Sequence, residues 1–175
     1  NLPCRSLVTV CAGLSAVEHR NVDDEPRVPG WPQVETLCYM LNLPVVRILE
    51  VEQTLSELAD IALRWVKMRS LPVAVAAMHC DDLLPNADSI HRLLVDWAAM
   101  PAETRPTLMA QFDGAQLKTD EEDTAIRMAI VVAYDAERQV VTFAEASVRH
   151  HACTWKVPVP KLWDACAAVG AFGRT

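Results

Sequence analysis

Two apolar runs joined by a short polar segment constrain the fold of this chain more than any other stretch. The runs cover residues 126–134 and 140–143, and both contain the β-branched and aromatic residues that favour strands. The polar residues between them include Asp135, Glu137 and Arg138. Two such runs at this spacing are typical of an antiparallel hairpin. The sequence therefore predicts a sheet in the second half of the chain.

The length of the hairpin loop determines which side chains face each other. A three-residue loop over 135–137 would pair Tyr134 with Arg138 and would place Arg127 directly opposite Glu145. Opposite charges at paired positions attract, so we expect an ion pair between Arg127 and Glu145. Because side chains alternate along a strand, a slip of one residue would turn Arg127 to the other face.

Patterns elsewhere predict an α+β domain in which a helical first half packs on an antiparallel sheet. An apolar helix pattern extends to Val17, and an amphipathic helix is expected over 54–70. A helix over 90–100 would follow a cap at Asp88 or Ser89. The other expected elements are a helix over 33–43, strands over 43–49, 73–78 and 107–112, a loop over 113–123, a His- and Cys-containing loop that leaves the sheet, and a last helix with Leu162 and Trp163.

Composition and charge exclude several classes of protein. The 175 residues suit one domain, expected over 1–175 without an internal repeat. A net charge of −7 and the lack of a basic stripe argue against a nucleic-acid binder. No apolar run approaches the roughly 18 residues that a membrane span needs. The chain begins without Met, so we expect a processed product or a piece of a longer protein.

The six cysteines are spread over the chain without a Cys-x-x-Cys pair. Most lie in apolar stretches, which is typical of reduced thiols in a core rather than of a disulfide framework. This favours an intracellular protein in a reducing compartment, either the cytoplasm or an organelle matrix such as that of the mitochondrion. Cys4 follows Pro3, which suits a first helical turn. The dipole at a helix N-terminus favours a thiolate, so Cys4 is a candidate nucleophile.

Five short motifs occur in an order that carries information of its own. They are Pro3-Cys4-Arg5-Ser6-Leu7, Met78-His79-Cys80, Ser89-Ile90-His91-Arg92, Ala133-Tyr134-Asp135 and the stretch from Trp155 to Trp163. This order resembles that of the phytochelatin synthases, papain-fold enzymes that transfer γ-glutamylcysteine between glutathione molecules. The similarity covers nearly the whole chain. It implies a papain-like, phytochelatin-synthase-like fold that lacks the family's extreme N-terminal segment.

The resemblance also implies roles, and two of the corresponding positions depart from the family's pattern. Cys4 corresponds to the nucleophile. Counting back from Tyr134, the catalytic His of the family falls on Arg127, and counting back from Trp155, its orienting Asp falls on Glu145. The oxyanion-hole Gln of the family lies further before the nucleophile than this sequence extends. Arginine stays protonated and cannot act as a base, so the resemblance implies that little catalysis remains.

A second polar cluster offers a metal site. His150, His151 and Cys153 could bind a soft metal such as zinc or copper. No fourth ligand is evident, and adjacent His residues point in different directions on an extended chain. A polar surface loop is therefore the favoured interpretation, and the same holds for the His-Cys-Asp-Asp stretch over 79–82. We expect no cofactor.

Two functions from different classes remain open. The preferred one is a pseudoenzyme: a catalytically degenerate domain that serves as a structural or interaction subunit of a larger complex, with other protein subunits as partners. The five tryptophans agree with burial in an assembly, and Trp31 in a Pro-rich loop is the best candidate contact. The alternative is an active γ-glutamylcysteine transferase or glutathione-cleaving cysteine peptidase, in which Cys4 is acylated and His79, His150 or His151 acts as base. A third possibility is a metal- or thiol-binding module.

Overall fold

The computed structural model describes residues 9–14, 41, 53–80, 83–117, 126–145 and 153–172. Residues 9–14 are helical. The complete elements are α1 (Leu55–Met68), α2 (Ala87–Ala99), β1 (Met109–Asp113), α3 (Gly114–Leu117), β2 (Ile126–Asp135), β3 (Val140–Glu145), β4 (Cys153–Pro158) and α4 (Val159–Phe172). The predicted α+β class is confirmed.

The chain divides into two compact units. The first comprises Asn1–Ala77 with Ala146–Ala152, and the second comprises Met78–Glu145 with Cys153–Thr175. All four strands and helices α2, α3 and α4 belong to the second unit. The first unit contributes α1 and the helical residues 9–14.

Helix α1 confirms the amphipathic helix predicted over 54–70. Thr54 begins it through a capping box: its backbone N–H donates to the Glu57 carboxylate at 2.8 Å, and the Glu57 N–H donates to the Thr54 hydroxyl at 3.2 Å. The helix ends before Ser70, whose positive φ of 52° does not continue a right-handed helix. Apolar residues three and four positions apart form its buried stripe, namely Leu58, Ile61, Ala62 and Val66.

The prediction of a strand over 73–78 is wrong. These residues form no regular element, and Val73 is 39% exposed. A run of Val and Ala satisfies a strand pattern, but a strand also needs a partner for its backbone N–H and C=O groups. Residue 41 lies in a turn. The other residues of the helix predicted over 33–43 and of the strand predicted over 43–49 lie outside the described part.

The sheet is an antiparallel meander with the order β1-β2-β3-β4, so each strand pairs with the next one along the chain. The predicted hairpin is confirmed as β2 and β3, and the strand expected over 107–112 is confirmed as β1. The loop predicted over 113–123 contains a single helical turn, α3, among its described residues.

The register of the hairpin differs from the prediction. Four residues, 136–139, connect the strands, so Tyr134 pairs with Val141 and not with Arg138. A bulge between Val131 and Ala133 shifts the pairing back by one residue, so that two of the three residues of displacement remain beyond it. Gln139 explains the longer loop, because its positive φ of 52° supplies the left-handed residue that returns the chain to β3.

The stretch after the hairpin was expected to leave the sheet, and this expectation is wrong for its second part. Cys153–Pro158 forms β4, which pairs with β3 from Glu145↔Cys153 to Val140↔Pro158. The predicted last helix follows directly as α4 and carries Leu162 and Trp163. The first backbone N–H of α4, from Val159, donates to the carbonyl of Gln139 at 2.9 Å. The hairpin loop thereby positions the start of the helix.

Helix α2 confirms the predicted helix, but its cap is Asn86 rather than Asp88 or Ser89. The Asn86 side chain accepts from the Ser89 N–H at 3.0 Å, and the Ser89 hydroxyl accepts from the Asn86 N–H at 3.2 Å. Ser89, the third residue of α2, thus completes a capping box with Asn86. The core of the second unit joins α2, α4 and the sheet through Ile90, Leu94, Trp97, Phe112, Ala129, Val131, Val141, Phe143, Val157, Val159, Leu162 and Ala165. Among the described residues, no helix has both the length and the apolar character that a membrane crossing requires.

Candidate functional site

The structure places only part of the predicted site. Cys4, His150 and His151 lie outside the described residues. Glu145 and Cys153 are described in their backbone, where they pair with each other at the start of the β3–β4 ladder. The metal site considered for His150, His151 and Cys153 is therefore not tested, and the polar loop favoured for this stretch does not include Cys153, which belongs to a strand.

Arg127 lies near the beginning of β2, next to residues of the hydrophobic core. Its Cα partner across the sheet is Phe112, which is 1% exposed, and Ala129 two residues further on is fully buried. The Nε atom of Arg127 is itself shielded from solvent. This position holds a permanent cation beside apolar side chains. A guanidinium there orients charge and donates hydrogen bonds, but it does not accept a proton.

The prediction that Arg127 lies directly opposite Glu145 is wrong. Ile130 pairs with Ala144, so the register places Glu145 two residues short of the position opposite Arg127. The four-residue loop causes this displacement, and the bulge reduces it by one residue. The ion pair itself stays a prediction, because the Glu145 side chain lies outside the described part.

Three aromatic rings form a cluster beside Arg127. Phe112 and Phe143 lie 6.0 Å apart between ring centroids, and Trp155 lies 5.4 Å from Phe112 and 5.0 Å from Phe143. The Trp155 ring is stacked on Phe143 and edge-on to Phe112. Its Nε1 is buried and has no hydrogen-bond acceptor among the described residues. The cluster makes the Arg127 end of the sheet apolar and closely packed.

A His–Tyr pair lies at the other end of β2. The Tyr134 hydroxyl is hydrogen-bonded to Nδ1 of His91 on α2, and the two rings meet edge to face with centroids 5.9 Å apart. Burial, and secondarily the charge of Asp135, raises the pKa of Tyr134, so the phenol stays protonated and donates. We therefore assign Nδ1 of His91 as the acceptor and Nε2 as the protonated nitrogen. The sequence did not predict this pair, because 43 positions separate the two residues.

A pair of thiols is the second feature that the sequence did not predict. Cys80, in the first turn of the second unit, is hydrogen-bonded through its side chain to Cys166 of α4. That hydrogen bond, then burial, then the charge of an ionised Cys80 raise the pKa of Cys166 well above the ordinary thiol value of 9.0. Both cysteines are reduced thiols and half-buried at the edge of the core.

Backbone geometry explains why these thiols meet. The N–H groups of Leu83 and Leu84 donate to the carbonyl of His79 at 3.2 and 3.4 Å, which closes a turn around Cys80. The indole N–H of Trp163 donates to the carbonyl of Leu84 at 2.9 Å and anchors α4 to this turn. Cys166 follows Trp163 by three residues and thus lies one helical turn away on the same side.

The described residues offer these groups no third partner for a metal. In the part of the chain that the structure covers, no set of three His, Cys, Asp or Glu side chains lies close enough to hold a metal ion. His79 is exposed beside Cys80. No family model matches the chain, and a search of curated proteins found no match. The resemblance to the phytochelatin synthases therefore rests on the order of the five motifs in the sequence, with Arg127 and Glu145 as departures from the family's pattern.

Proposed function

We propose that this chain is a catalytically degenerate, papain-like domain of the phytochelatin synthase type that serves as a structural or interaction subunit of a larger protein complex. The observation that carries the proposal is Arg127 in β2, at the position that the motif order gives to the catalytic His. A thiol transferase needs an imidazole that activates the nucleophile and then protonates the leaving amine. A guanidinium does neither, because its pKa above about 12 keeps it protonated.

The order of the elements supports the papain-like part of the proposal. The motif-bearing segments form an antiparallel hairpin, a strand with Trp155 and a helix with Leu162 and Trp163, in the order that the resemblance implies. This arrangement is compatible with the antiparallel sheet of such enzymes. It also occurs in a unit whose core is closed by its own helices, so the domain keeps its stability without the catalytic His.

Neither described imidazole, that of His79 or of His91, belongs to the sheet that carries position 127. His91 is hydrogen-bonded to Tyr134, which lies seven residues along β2 from Arg127. At about 3.3 Å per residue, this separates the two positions by roughly 20 Å. His79 lies outside the sheet, in an irregular segment. General acid–base catalysis supplies about a hundred- to ten-thousand-fold in rate, so its loss removes most activity.

Three of the five tryptophans make contacts within the second unit, which leaves fewer candidates for a contact with a partner protein. Trp97 and Trp163 donate their indole N–H groups to the carbonyls of Pro106 and Leu84 at 2.8 and 2.9 Å, and Trp155 is stacked in the aromatic cluster. These three rings stabilise the second unit itself. The partner contact proposed for this protein therefore depends on other residues, of which Trp31 stays the candidate.

The first test measures acylation. The full chain and a Cys4→Ala control are incubated with excess glutathione and a thiophilic divalent metal ion, and intact masses and released glycine are recorded. We expect no γ-glutamylcysteinyl adduct and no glycine, although iodoacetamide still alkylates Cys4. An adduct on the parent chain that the control lacks would overturn the proposal in favour of the active transferase or peptidase, with glutathione as substrate.

A substitution at position 127 tests the role of that position. If β2 presents this residue to the thiol, Arg127→His returns a base, and we expect acylation to rise at least tenfold above the parent chain. Arg127→Lys is the matched control, since it keeps the cation and leaves acylation unchanged. Equal behaviour of the two variants, both folded, would contradict the assignment of position 127.

The second half of the proposal is tested by the size of the native particle. Tagged full-length protein, expressed at its natural level, is separated by size from a gently prepared extract. We expect it in an assembly several times its own 19.4 kDa, and Cys4→Ala to remain there because assembly does not need the thiol. Elution at monomer size, with an intact assembly marker in the same extract, would contradict a subunit role.

A further inference from the structure

The contact between Cys80 and Cys166 has no role in the function proposed above. It brings together the turn that begins the second unit and the helix that ends it. A structural Cys in a core is usually surrounded by carbon, whereas these two sulfur atoms face each other. Both side chains are half-buried, and exposed residues, His79 and Leu83, flank the turn around Cys80.

We propose that Cys80 and Cys166 are a redox-active dithiol that closes to a disulfide by exchange with a low-molecular-weight disulfide such as glutathione disulfide. The proposal rests on the direct contact of the two thiols and on the hydrogen bonds that hold their backbones in place. Closure needs the approach of two thiols that are already hydrogen-bonded to each other. It uses neither Cys4 nor Arg127, so it is independent of the proposed function.

The environments of the two thiols assign the attacking sulfur. The hydrogen bond with Cys80, and then burial, raise the pKa of Cys166, so we assign the attack to the sulfur of Cys80. Its thiolate attacks one sulfur of the small disulfide, forms a mixed disulfide and releases one thiolate. Cys166 then loses its proton to solvent, and its sulfur attacks Cys80 and releases the second thiolate. Two protein thiols are oxidised, and one small disulfide is reduced to two small thiols.

The closed form would tie the two ends of the second unit together. The second unit begins at Met78, directly before the turn around Cys80. Helix α4, near the other end of the chain, packs against β1, the first strand of the sheet. A crosslink between such distant residues restricts the unfolded chain and so stabilises the fold. We expect the oxidised protein to melt about 5–15 °C above the reduced protein.

The test is a peptide map of the full chain after equilibration with glutathione disulfide under denaturant-free conditions. Free thiols are blocked in acid, the protein is digested without reductant, and the linked peptides are identified by mass. We expect the peptides of Cys80 and Cys166 to be joined and to separate after dithiothreitol. Linkage of either residue to another cysteine, or alkylation of both with other thiols oxidised, would overturn the proposal.

Single substitutions test the order of attack. Cys166→Ser is expected to trap Cys80 as a mixed disulfide with one glutathione, while Cys80→Ser leaves Cys166 unmodified or at least about tenfold slower to react. Cys11→Ser is the matched control, because this buried, reduced thiol belongs to the first unit, and its loss should leave the Cys80–Cys166 crosslink unchanged. If a variant fails to fold, the peptide map of the parent chain decides alone.

Discussion

The two ends of strand β2 differ in chemistry although one continuous strand joins them. At the first end, Arg127 lies opposite Phe112 and beside a cluster of stacked aromatic rings. At the second end, Tyr134 meets His91 next to a hairpin loop with exposed side chains. The first end is therefore defined by apolar packing around a fixed charge, and the second by hydrogen bonding between groups that can ionise.

The difference shows how a sheet can keep its fold while its chemistry changes. Folding requires apolar side chains at alternating positions, which Ala129 and Val131 supply in the middle of β2. It does not require a particular group at position 127. In this chain the described imidazole that contacts β2, that of His91, bonds to Tyr134, seven residues along the strand from that position.

Packing at the first end should give the largest effect. Phe112→Ala removes a ring that is 1% exposed and leaves a cavity between Phe143 and Trp155, so we expect the free energy of unfolding to fall by about 3–5 kcal/mol. Urea denaturation measures the loss. Val132→Ala is the control at the bulge, where the side chain is 44% exposed, and should cost less than about 0.5 kcal/mol. Equal losses of unfolding free energy in the two variants would contradict the expected difference between packed and exposed positions.

Hydrogen bonding at the second end should give a smaller effect. Tyr134→Phe keeps the ring but removes the hydroxyl that donates to His91, which should lower the free energy of unfolding by about 0.5–1.5 kcal/mol at pH 7. Urea denaturation again provides the measurement. A double-mutant cycle with His91→Ala, measured the same way, should show that the two losses are coupled. Additive losses would mean that the pair contributes little.

The pH dependence of the stability difference between the parent chain and Tyr134→Phe provides a sharper test. The pKa of Tyr134 is raised above its ordinary value of 10.0 in the folded state, mainly by burial. Its contribution is therefore complete below pH 10 and declines as the pH rises above 10. We expect the stability difference between the parent chain and Tyr134→Phe to shrink between pH 9.5 and pH 11. A difference that stays constant over this interval would mean that the hydroxyl is solvated in the folded state.

The smallest effect should come from the loop that follows Tyr134. Gln139 adopts a positive φ of 52°, which costs a residue with a Cβ about 1–2 kcal/mol relative to glycine. The greater flexibility of glycine in the unfolded chain offsets part of this, so Gln139→Gly should stabilise by roughly 0.5 kcal/mol. A small rise in the urea midpoint would support the assignment. Destabilisation would show that the Gln139 side chain contributes contacts that outweigh its backbone cost.

Local patterns accounted for most of the elements. Alternating apolar residues predicted β1 and the hairpin, and apolar residues three and four apart predicted α1, α2 and α4. The same reasoning failed over 73–78, where small apolar residues match a strand pattern without forming a strand. It also missed β4, because the alternation in Cys153–Pro158 is short and contains Lys156. Whether such stretches become strands depends on an available neighbour.

The sequence by itself determined the α+β class, the helix faces and the presence of arginine where the resemblance implies a histidine. These properties depend on residue identity and on spacings of two to four positions, which act locally. Only the tertiary structure decided the register of the hairpin, since a four-residue loop with a left-handed Gln139 displaced Glu145 from the position opposite Arg127 and a bulge reversed part of that displacement. It also decided the contacts of His91 with Tyr134 and of Cys80 with Cys166. Such contacts join distant residues, and they form only when the packing of helices on the sheet brings those residues together.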